Sequence, residues 1–257
     1  AVIVAMARLL ADGLVRRESP RGSKERFSFQ APELTEELQQ LDRDVDTVCF
    51  AEFTEEEIRQ YRILEQATVF VGNHFLLSER QRLAIMRSIA TDRDLMERKR
   101  KLKPLYELSG KEVWIDGFNT IITLEVLLSD SLLFDCMDGT IRDLAALRGT
   151  YRLIPETEGA LRLIFDVLQE ASVGKLNILL DEPVSNSGRL KTLIADTAEN
   201  KYSFDLDITI LRDVDRTLYG KELVITSDSI ILDQCKSWVN LSEKCLKQKG
   251  KQGIRVW

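Results

Sequence analysis

Histidine is almost absent from this sequence, and its shortage removes several kinds of chemistry. The 257 residues include one histidine, His74, in the stretch VGNHF, which lies far from any nucleophile motif. A Ser-His-Asp triad would have to use this residue, so no such triad is expected. The phosphate-binding motif GxxxxGK[ST] is also missing. These absences favour mechanisms that depend on carboxylates.

Cysteine and long apolar runs are scarce as well. The four cysteines form no CxxC pair and have no histidine nearby in sequence, so a zinc site is not expected. They are Cys49, Cys136, Cys235 and Cys245. Free thiols are typical of a reducing compartment, and no secretory signal is recognised, which together predict a cytoplasmic protein. The longest apolar runs, such as residues 1–7, are too short to span a bilayer, so no membrane partner is expected.

The net charge of −6 argues against a protein whose whole surface binds nucleic acid. A local basic stretch, ERKRKLK, is a candidate for contact with RNA or, as an alternative, DNA. The candidate residues are Arg98, Lys99, Arg100, Lys101 and Lys103. A second basic stretch covers residues 244–255. The competing interpretation of both is an ordinary solvated helix face.

Composition and local signals divide the chain into three parts. Residues 1–53 predict a helix and a β-hairpin, which resemble the second half of a winged helix, followed by a linker. Residues 54–108 predict a helical module, because TEEE at 54–57 and SERQ at 78–81 are capping boxes. A third helix is predicted from 92 to 102. Residues 109–257 form the remaining part.

In residues 109–257, strand and helix signals alternate, which predicts an α/β domain with a parallel sheet. Strands are predicted at 113–115, 132–135, 176–180, 208–211, 223–226 and, as an edge strand, 239–241. Helices are predicted at 120–128, 139–147, 158–169, 188–198, 215–218 and 230–235.

Three of these strands end in aspartate: WIDG at Asp116, LLDE at Asp181 and ITSD at Asp228. Carboxyl ends of parallel strands meet at one edge of a sheet, so these side chains are expected to converge. Asp213 and Asp215 can approach from the same side. Converging carboxylates raise one another's pKa values unless a cation compensates them, and hard oxygen ligands favour Mg²⁺ or Mn²⁺. The competing interpretation is a set of helix-capping aspartates.

The segments IDGFN at 115–119 and VITSD at 224–228 resemble the opening and closing motifs of PIN-like nucleases of the NYN type. LLD at 179–181 and VDRTL at 214–218 resemble the two acidic segments between them. The resemblance covers about residues 111–241. It implies a Rossmann-like three-layer fold and a metal-dependent nuclease that cleaves RNA. The implied metal ligands and catalytic residues are Asp116, Asp181, Asp215 and Asp228, with Asn119, Thr226 and Ser227 in support.

Residues 57–241 are also similar to an uncharacterised, largely archaeal family of unknown function, which carries the segment DGTIRD at 138–143. Two interpretations of this segment stay open. Asp138 and Asp143 are additional metal ligands, or Arg142 and Asp143 form a structural ion pair. The loop PVSNSG at 183–188 is either a phosphate contact through backbone amides or a simple opening to the next helix.

Overall fold

The computed structural model describes residues 62–145, 149–199 and 201–255 of the chain. The predicted helix, hairpin and linker of residues 1–53, and Cys49 with them, lie outside these ranges. By the density of backbone contacts the chain separates into two compact units. Of the described residues, 62–90 and Arg255 belong to the first, and those from Thr91 to Ile254 form the second.

The described part of the first unit contains two helices, α1 (Arg62–His74) and α2 (Glu79–Ser88). The predicted capping box at the start of α2 is confirmed. The Ser78 hydroxyl accepts the backbone N–H of Gln81, and the Gln81 side chain accepts the N–H of Ser78 at 2.8 Å. Both bonds satisfy N–H groups that the first turn of a helix cannot satisfy by itself.

The second unit is an α/β domain, as the alternating pattern predicts. Its helices are α3 (Asp92–Lys101), α4 (Gly117–Leu128), α5 (Pro155–Glu170), α6 (Ser187–Ala198), α7 (Val214–Leu218), α8 (Ser229–Gln234) and α9 (Leu241–Gln248). Its strands are β1 (Leu102–Lys103), β2 (Glu112–Asp116), β3 (Phe134–Asp135), β4 (Ile141–Arg142), β5 (Lys175–Asp181), β6 (Asp205–Leu211), β7 (Val224–Ile225) and β8 (Trp238–Val239), and β9 (Ile254–Arg255) ends the described chain.

Six of these strands form one sheet in the order β1-β8-β7-β2-β5-β6, and all five pairings are parallel. The chain builds outward from β2 through β5 to β6, then returns to the other side of β2 with β7. The boundary between the neighbouring strands β2 and β7 is therefore the point where the strand order reverses. Ligands of open α/β sheets bind outside the carboxyl ends of strands at such a point.

Successive side chains of a buried strand point to opposite faces of the sheet, so both faces carry apolar residues. Helices cover both faces here. One face of β2 and β5, including Ile115 and Ile178, packs in a core with α4, α5, α6 and α9. The opposite face, including Leu179 and Trp238, packs with α7 and α8. The result is a three-layer, Rossmann-like arrangement, in agreement with the predicted α/β class.

Two predicted elements differ from the structure. The polar segment 139–147, predicted as a helix, instead contributes β4, which pairs antiparallel with β3 through a turn at Gly139 with φ of 81°. Such a φ favours glycine and ends any helix there. The predicted edge strand near Val239 is β8, which lies one position inside the sheet because Leu102–Lys103 forms the edge strand beside it.

Candidate metal centre and its supporting residues

Asp116 lies at the carboxyl end of the central strand β2, where the chain turns directly into α4. Gly117 permits this turn, because a Cβ there would lie 2.6 Å from the Leu179 carbonyl oxygen of β5. The close approach of the two backbones places the Asp116 side chain at the sheet edge, in a position that is 6% exposed.

Thr226 and Asn119 hold this part of the site together. The Thr226 hydroxyl donates to Asp116 Oδ2 at 2.9 Å. Asn119 Oδ1 accepts both the Ser227 backbone N–H at 2.8 Å and the Ser227 hydroxyl at 2.9 Å. Asn119 thus binds the TSD segment, whose Thr226 in turn contacts Asp116. The supporting roles predicted for these three polar residues agree with these contacts.

The predicted aspartates lie close enough to affect one another's charge. Burial, with further contributions from Asp228, Asp181 and Asp215, raises the pKa of Asp116 to about 8. Burial also raises the pKa of Asp215, and the carboxylates of Asp228, Asp181 and Asp213 add to the effect. Asp181 has a raised pKa for the same first reason, with Asp213 as its charged neighbour. The four aspartates and Asp213 therefore form one electrostatically coupled group.

Two strand-end aspartates, Asp116 and Asp228, directly precede helices. The helix-capping interpretation applies to one of them. Asp116 precedes α4 but its side chain makes no capping hydrogen bond. Asp228 does cap α8, because its Oδ1 accepts the backbone N–H groups of Ile230 at 2.8 Å and Ile231 at 3.2 Å. In Asp228 the second oxygen has no hydrogen bond within the described residues, so capping leaves it available.

The donor set suits a hard divalent cation. Asp116, Asp181, Asp215 and Asp228 have no Lys or Arg ion-pair partner within the described residues, so their mutual repulsion is not relieved by the protein itself. At the same time, no group of three or more His, Cys, Asp or Glu side chains in that part of the chain has the arrangement of a preformed ligand set. The aspartates would have to move together to share one ion.

Asp138 is engaged in a different way. Its Oδ2 accepts hydrogen bonds from Arg98 Nη1 at 2.7 Å and from Arg142 Nη2 at 2.6 Å. Its Oδ1 accepts both the backbone N–H and the hydroxyl of Thr140. Burial opposes its charge, but the two guanidinium groups hold the pKa of Asp138 below its usual range. These four bonds occupy both carboxylate oxygens, so the contacts do not support the interpretation of Asp138 as a metal ligand.

The second interpretation of DGTIRD also needs correction in its detail. The ion pair that Arg142 forms in this segment is with Asp138. Asp143 accepts the Thr123 hydroxyl at 2.7 Å and the Ala145 backbone N–H at 2.8 Å. Asp143 therefore stabilises the start of the loop after β4.

The basic stretch of α3 is largely occupied by contacts within the protein. Arg98 is 3% exposed and bonds to Asp138 and Asp233, so the prediction that it binds nucleic acid was wrong. Arg100 pairs with Glu97. The amphipathic period of α3 turns Arg98 inward, which a count of charges in sequence does not reveal. Lys101 donates to the carbonyl oxygens of Leu232 and Asp233, and Lys103 pairs with Glu107, whereas Lys99 is exposed.

The loop PVSNSG connects β5 to α6 beside Asp181. The Ser185 N–H donates to the Gly149 carbonyl, and the Asn186 side-chain amide donates to the Tyr151 carbonyl at 2.7 Å. A cleft of about 690 Å³ opens next to this junction. It is lined by Arg152, Leu153, Asn186, Arg189, Thr192, Leu193 and Asp196. Neither arginine has an ion-pair partner within the described residues.

One contact at the site was not predicted. Arg142 Nε donates to the Ser227 carbonyl oxygen at 2.7 Å. The two residues are 85 positions apart, so no local pattern reveals the bond. The sequence signal was limited to an arginine directly after the apolar Ile141 in TIRD, where burial is unfavourable without a partner.

The remaining predictions about chain class can be compared with the structure directly. Cys136, Cys235 and Cys245 are buried, free thiols, as predicted. No helix in residues 62–145, 149–199 or 201–255 is both long enough and apolar enough to cross a membrane.

Comparison with known proteins places the chain by sequence. Residues 105–244 match a family model described as a domain of unknown function, DUF5616, and residues 59–101 match a second one described as a protein of unknown function, DUF434. The chain is 36% identical over 163 residues to an uncharacterized protein, MJ0935, of Methanocaldococcus jannaschii. The aligned part is 63% of this chain and 77% of that relative. No solved structure matches the chain. Because the first model spans more than half of the sequence, the chain belongs to the DUF5616 family.

Proposed function

We propose that the protein is a divalent-metal-dependent nuclease of the PIN-like, NYN type that cleaves RNA. One observation carries the proposal. Four aspartates whose charges affect one another lie at the point where the strand order reverses, and none has a cationic partner in the described chain. An arrangement that raises carboxylate pKa values and offers no cationic side chain to offset the repulsion marks a functional site more often than a structural one.

The cation site would be held by Asp116, Asp181, Asp215 and Asp228. When bound, Mg²⁺ or Mn²⁺ supplies activation of the attacking water and neutralisation of charge on the phosphodiester. Such chemistry needs neither a histidine nor a cysteine nucleophile, which agrees with a chain that has one histidine, placed at the end of α1.

The protein's own groups would orient the acidic residues. Thr226 directs Asp116 Oδ2 through its hydroxyl, which leaves Oδ1 without a hydrogen bond within the described residues. Asp228 keeps Oδ2 available while Oδ1 caps α8. Asp116 is buried and favours its neutral form, so it would release a proton when the cation binds. Asp116 and Asp228 therefore each have one oxygen directed by the fold and one left for the ion.

The cleft beside PVSNSG offers a path for the RNA backbone. Arg152 and Arg189 lie at this cleft, and Asn186 joins it to the loop that begins after Asp181. Guanidinium groups bind phosphate through paired hydrogen bonds. A strand whose scissile phosphate lies at the aspartates could place a neighbouring phosphate here.

Cleavage of a labelled single-stranded RNA by the full chain tests the proposal. Wild type should cleave in Mn²⁺ and not in EDTA. Mutation of a residue that supports a metal ligand typically lowers activity by about 10- to 100-fold. The variant Asp116→Asn should lose activity by a larger factor. Asp205→Asn serves as the matched control, because Asp205 lies at the opposite, amino end of a sheet strand. Equal cleavage by Asp116→Asn and wild type would sink the assigned role.

The alternative is a protein that binds nucleic acid without cutting it. The absence of a preformed ligand group among the described residues favours this alternative. It predicts RNA binding that is equal in Mn²⁺ and EDTA, with intact RNA recovered in both. The same assay therefore separates the two functions.

A further inference from the structure

Four charged residues, from α3, the β3–β4 hairpin and α8, form an ion cluster next to the candidate metal centre. The cluster consists of Arg98 of α3, Asp138 of the turn between β3 and β4, Arg142 of β4, and Asp233 of α8. Asp138 Oδ2 lies between the two guanidinium groups, at 2.7 Å from Arg98 Nη1 and 2.6 Å from Arg142 Nη2. Arg98 also forms a paired bond to Asp233, at 2.7 and 2.8 Å.

The cluster balances two positive with two negative charges, and most of it is removed from water. Arg98 is 3% exposed and Arg142 is 5% exposed. The Asp138 side chain is fully buried, while that of Asp233 is 37% exposed. Burying such groups is costly even when they are paired, and apolar residues of similar volume often stabilise a fold as well. Stability alone therefore gives a weak reason for this choice of residues.

The donor that Arg142 does not use within the cluster gives a stronger reason. Its Nε donates to the carbonyl oxygen of Ser227 at 2.7 Å. On the other side of the same residue, the Ser227 N–H donates to Asn119 Oδ1 at 2.8 Å. The peptide groups before and after Ser227 are thus both held by side chains, and the second of them leads directly into Asp228.

We infer that Arg142 is a positioning residue that fixes the peptide between Ser227 and Asp228 and thereby aims the Asp228 carboxylate at the cation site. Asp138 holds the Arg142 guanidinium in place, and Arg98 completes the charge balance. This inference rests on the proposed function for the binding of a cation at the aspartates. The positioning of Asp228 by Arg142 does not depend on that cation.

Arg98 provides the matched control. It belongs to the same cluster and bonds to the same Asp138 oxygen, yet its remaining side-chain contacts go to α8 rather than to the Ser227 carbonyl oxygen. These are Asp233 and, at 3.5 Å, the Ser229 carbonyl. Arg→Lys keeps the charge of either residue but removes the planar guanidinium, whose several donors bind in fixed directions. Arg142→Lys loses the Ser227 contact, and Arg98→Lys keeps it.

Two measurements on the full chain compare these variants. Hydrogen exchange of the Ser227 and Asp228 amides in metal-free protein reports local opening. We expect both amides to exchange about 10-fold faster in Arg142→Lys, the size expected for losing a hydrogen bond from a charged donor, and within about twofold of wild type in Arg98→Lys. Calorimetric titration with Mn²⁺ should show about 10-fold weaker binding for Arg142→Lys only.

Equal effects of the two variants on amide exchange, or wild-type exchange in Arg142→Lys, would overturn the positioning role. A wild-type protein that binds no Mn²⁺ would overturn the proposed function instead, and the exchange comparison would still decide the role of Arg142. If Arg142→Lys does not fold, the paired variant Arg142→Gln with Asp138→Asn removes the Ser227 contact without leaving an unpaired buried charge. Slow exchange at both amides in that variant would equally refute the inference.

Discussion

The most informative single residue is Asp116, a carboxyl group that the fold keeps from ionising. Burial is the main reason for its raised pKa, and three other aspartates add to the effect, while the Thr226 hydroxyl opposes it. A structural aspartate in such a place would be expected to have a cationic or capping partner. Asp116 has neither in the described chain, and its position costs stability that a bound cation would restore.

This cost predicts a pH-dependent stability for the metal-free protein. The folded pKa of Asp116 is about 8, against an ordinary value of 3.8 for an aspartate side chain. Between these values the folded chain binds one more proton than the unfolded chain, so the free energy of unfolding falls as pH rises from about 4 to 8. Asp116→Asn has no such proton. Its free energy of unfolding should therefore increase relative to that of wild type as pH rises, by at most about 1.4 kcal/mol per pH unit.

Urea unfolding in EDTA at several pH values between 5 and 8, followed by tryptophan fluorescence, measures this difference. Asp205→Asn, at the exposed amino end of β6, serves as the control for replacing an aspartate outside the site. A constant difference between Asp116→Asn and wild type across this range would mean that Asp116 ionises freely in the folded state.

Gly117 is a second residue on which the site depends. Addition of a Cβ there would bring it within 2.6 Å of the Leu179 carbonyl oxygen and of Leu180 Cδ2. Gly117→Ala should therefore lower the free energy of unfolding by about 1 to 3 kcal/mol, as overpacking does. Gly188, near the start of α6, has open space at the same position, so Gly188→Ala should be neutral or stabilising by up to about 1 kcal/mol.

Chemical denaturation of the two glycine variants under one set of conditions checks this pair. A Gly117→Ala protein as stable as Gly188→Ala would show that β2 and β5 can separate at their carboxyl ends without cost. The site would then be less rigid than the backbone approach indicates.

At the scale of elements, the turn between β3 and β4 joins α3 to α8. Asp138 of this turn receives Arg98 from α3, and Arg98 also binds Asp233 of α8. Trp238 of β8 adds a bond from its indole N–H to the Arg98 carbonyl at 2.7 Å. A segment that looks like a polar helix in sequence thus acts as a connector.

Asp138→Asn distinguishes this role from metal binding. Loss of the shared carboxylate leaves two buried guanidinium groups with one acidic partner, which should destabilise the fold by about 3 to 5 kcal/mol in EDTA. Asp130→Asn, which removes an exposed partner of Lys251, should cost less than about 1 kcal/mol. Thermal unfolding in EDTA gives both values. If Asp138→Asn had wild-type stability and bound Mn²⁺ weakly, Asp138 would be a ligand after all.

At the scale of the whole molecule, a net charge of −6 means that the proposed contact with RNA would have to be local. Arg212 and Arg216 lie near the aspartates but pair with Glu182 and Asp213. Arg152 and Arg189 have no such partner in the described chain and lie at the cleft beside Asp181. The cleft is therefore the favoured place for phosphate binding.

Salt dependence of RNA binding measures this local contact. In EDTA, where no cleavage is expected, replacing Arg152 and Arg189 by alanine should weaken binding and reduce the slope of log K against log salt by about 0.7 for each lost phosphate contact. Arg162→Ala removes a paired arginine on α5 and should leave the slope unchanged. Fluorescence anisotropy between 50 and 200 mM KCl, a range in which such contacts are sensitive, gives the slopes. An unchanged slope in the double variant would place the RNA elsewhere.

The sequence by itself determined the alternation of strands and helices around β2, β5, β6 and β7, the start of α2 at its capping box, and the aspartates at strand ends. These features depend on residues within one or two turns of each other, where hydrogen bonds and apolar periodicity are set locally. Such signals were sufficient for the α/β class.

Only the tertiary structure decided which charged residues face the solvent and which face each other. Arg98 and Asp233 are 135 positions apart, and Arg142 and Ser227 are 85 apart. A guanidinium can enter the interior only when a distant carboxylate meets it there, so its burial depends on the whole packing and not on its neighbours in sequence. The same reason explains why a basic stretch became a structural contact and why the turn at Gly139 replaced a predicted helix.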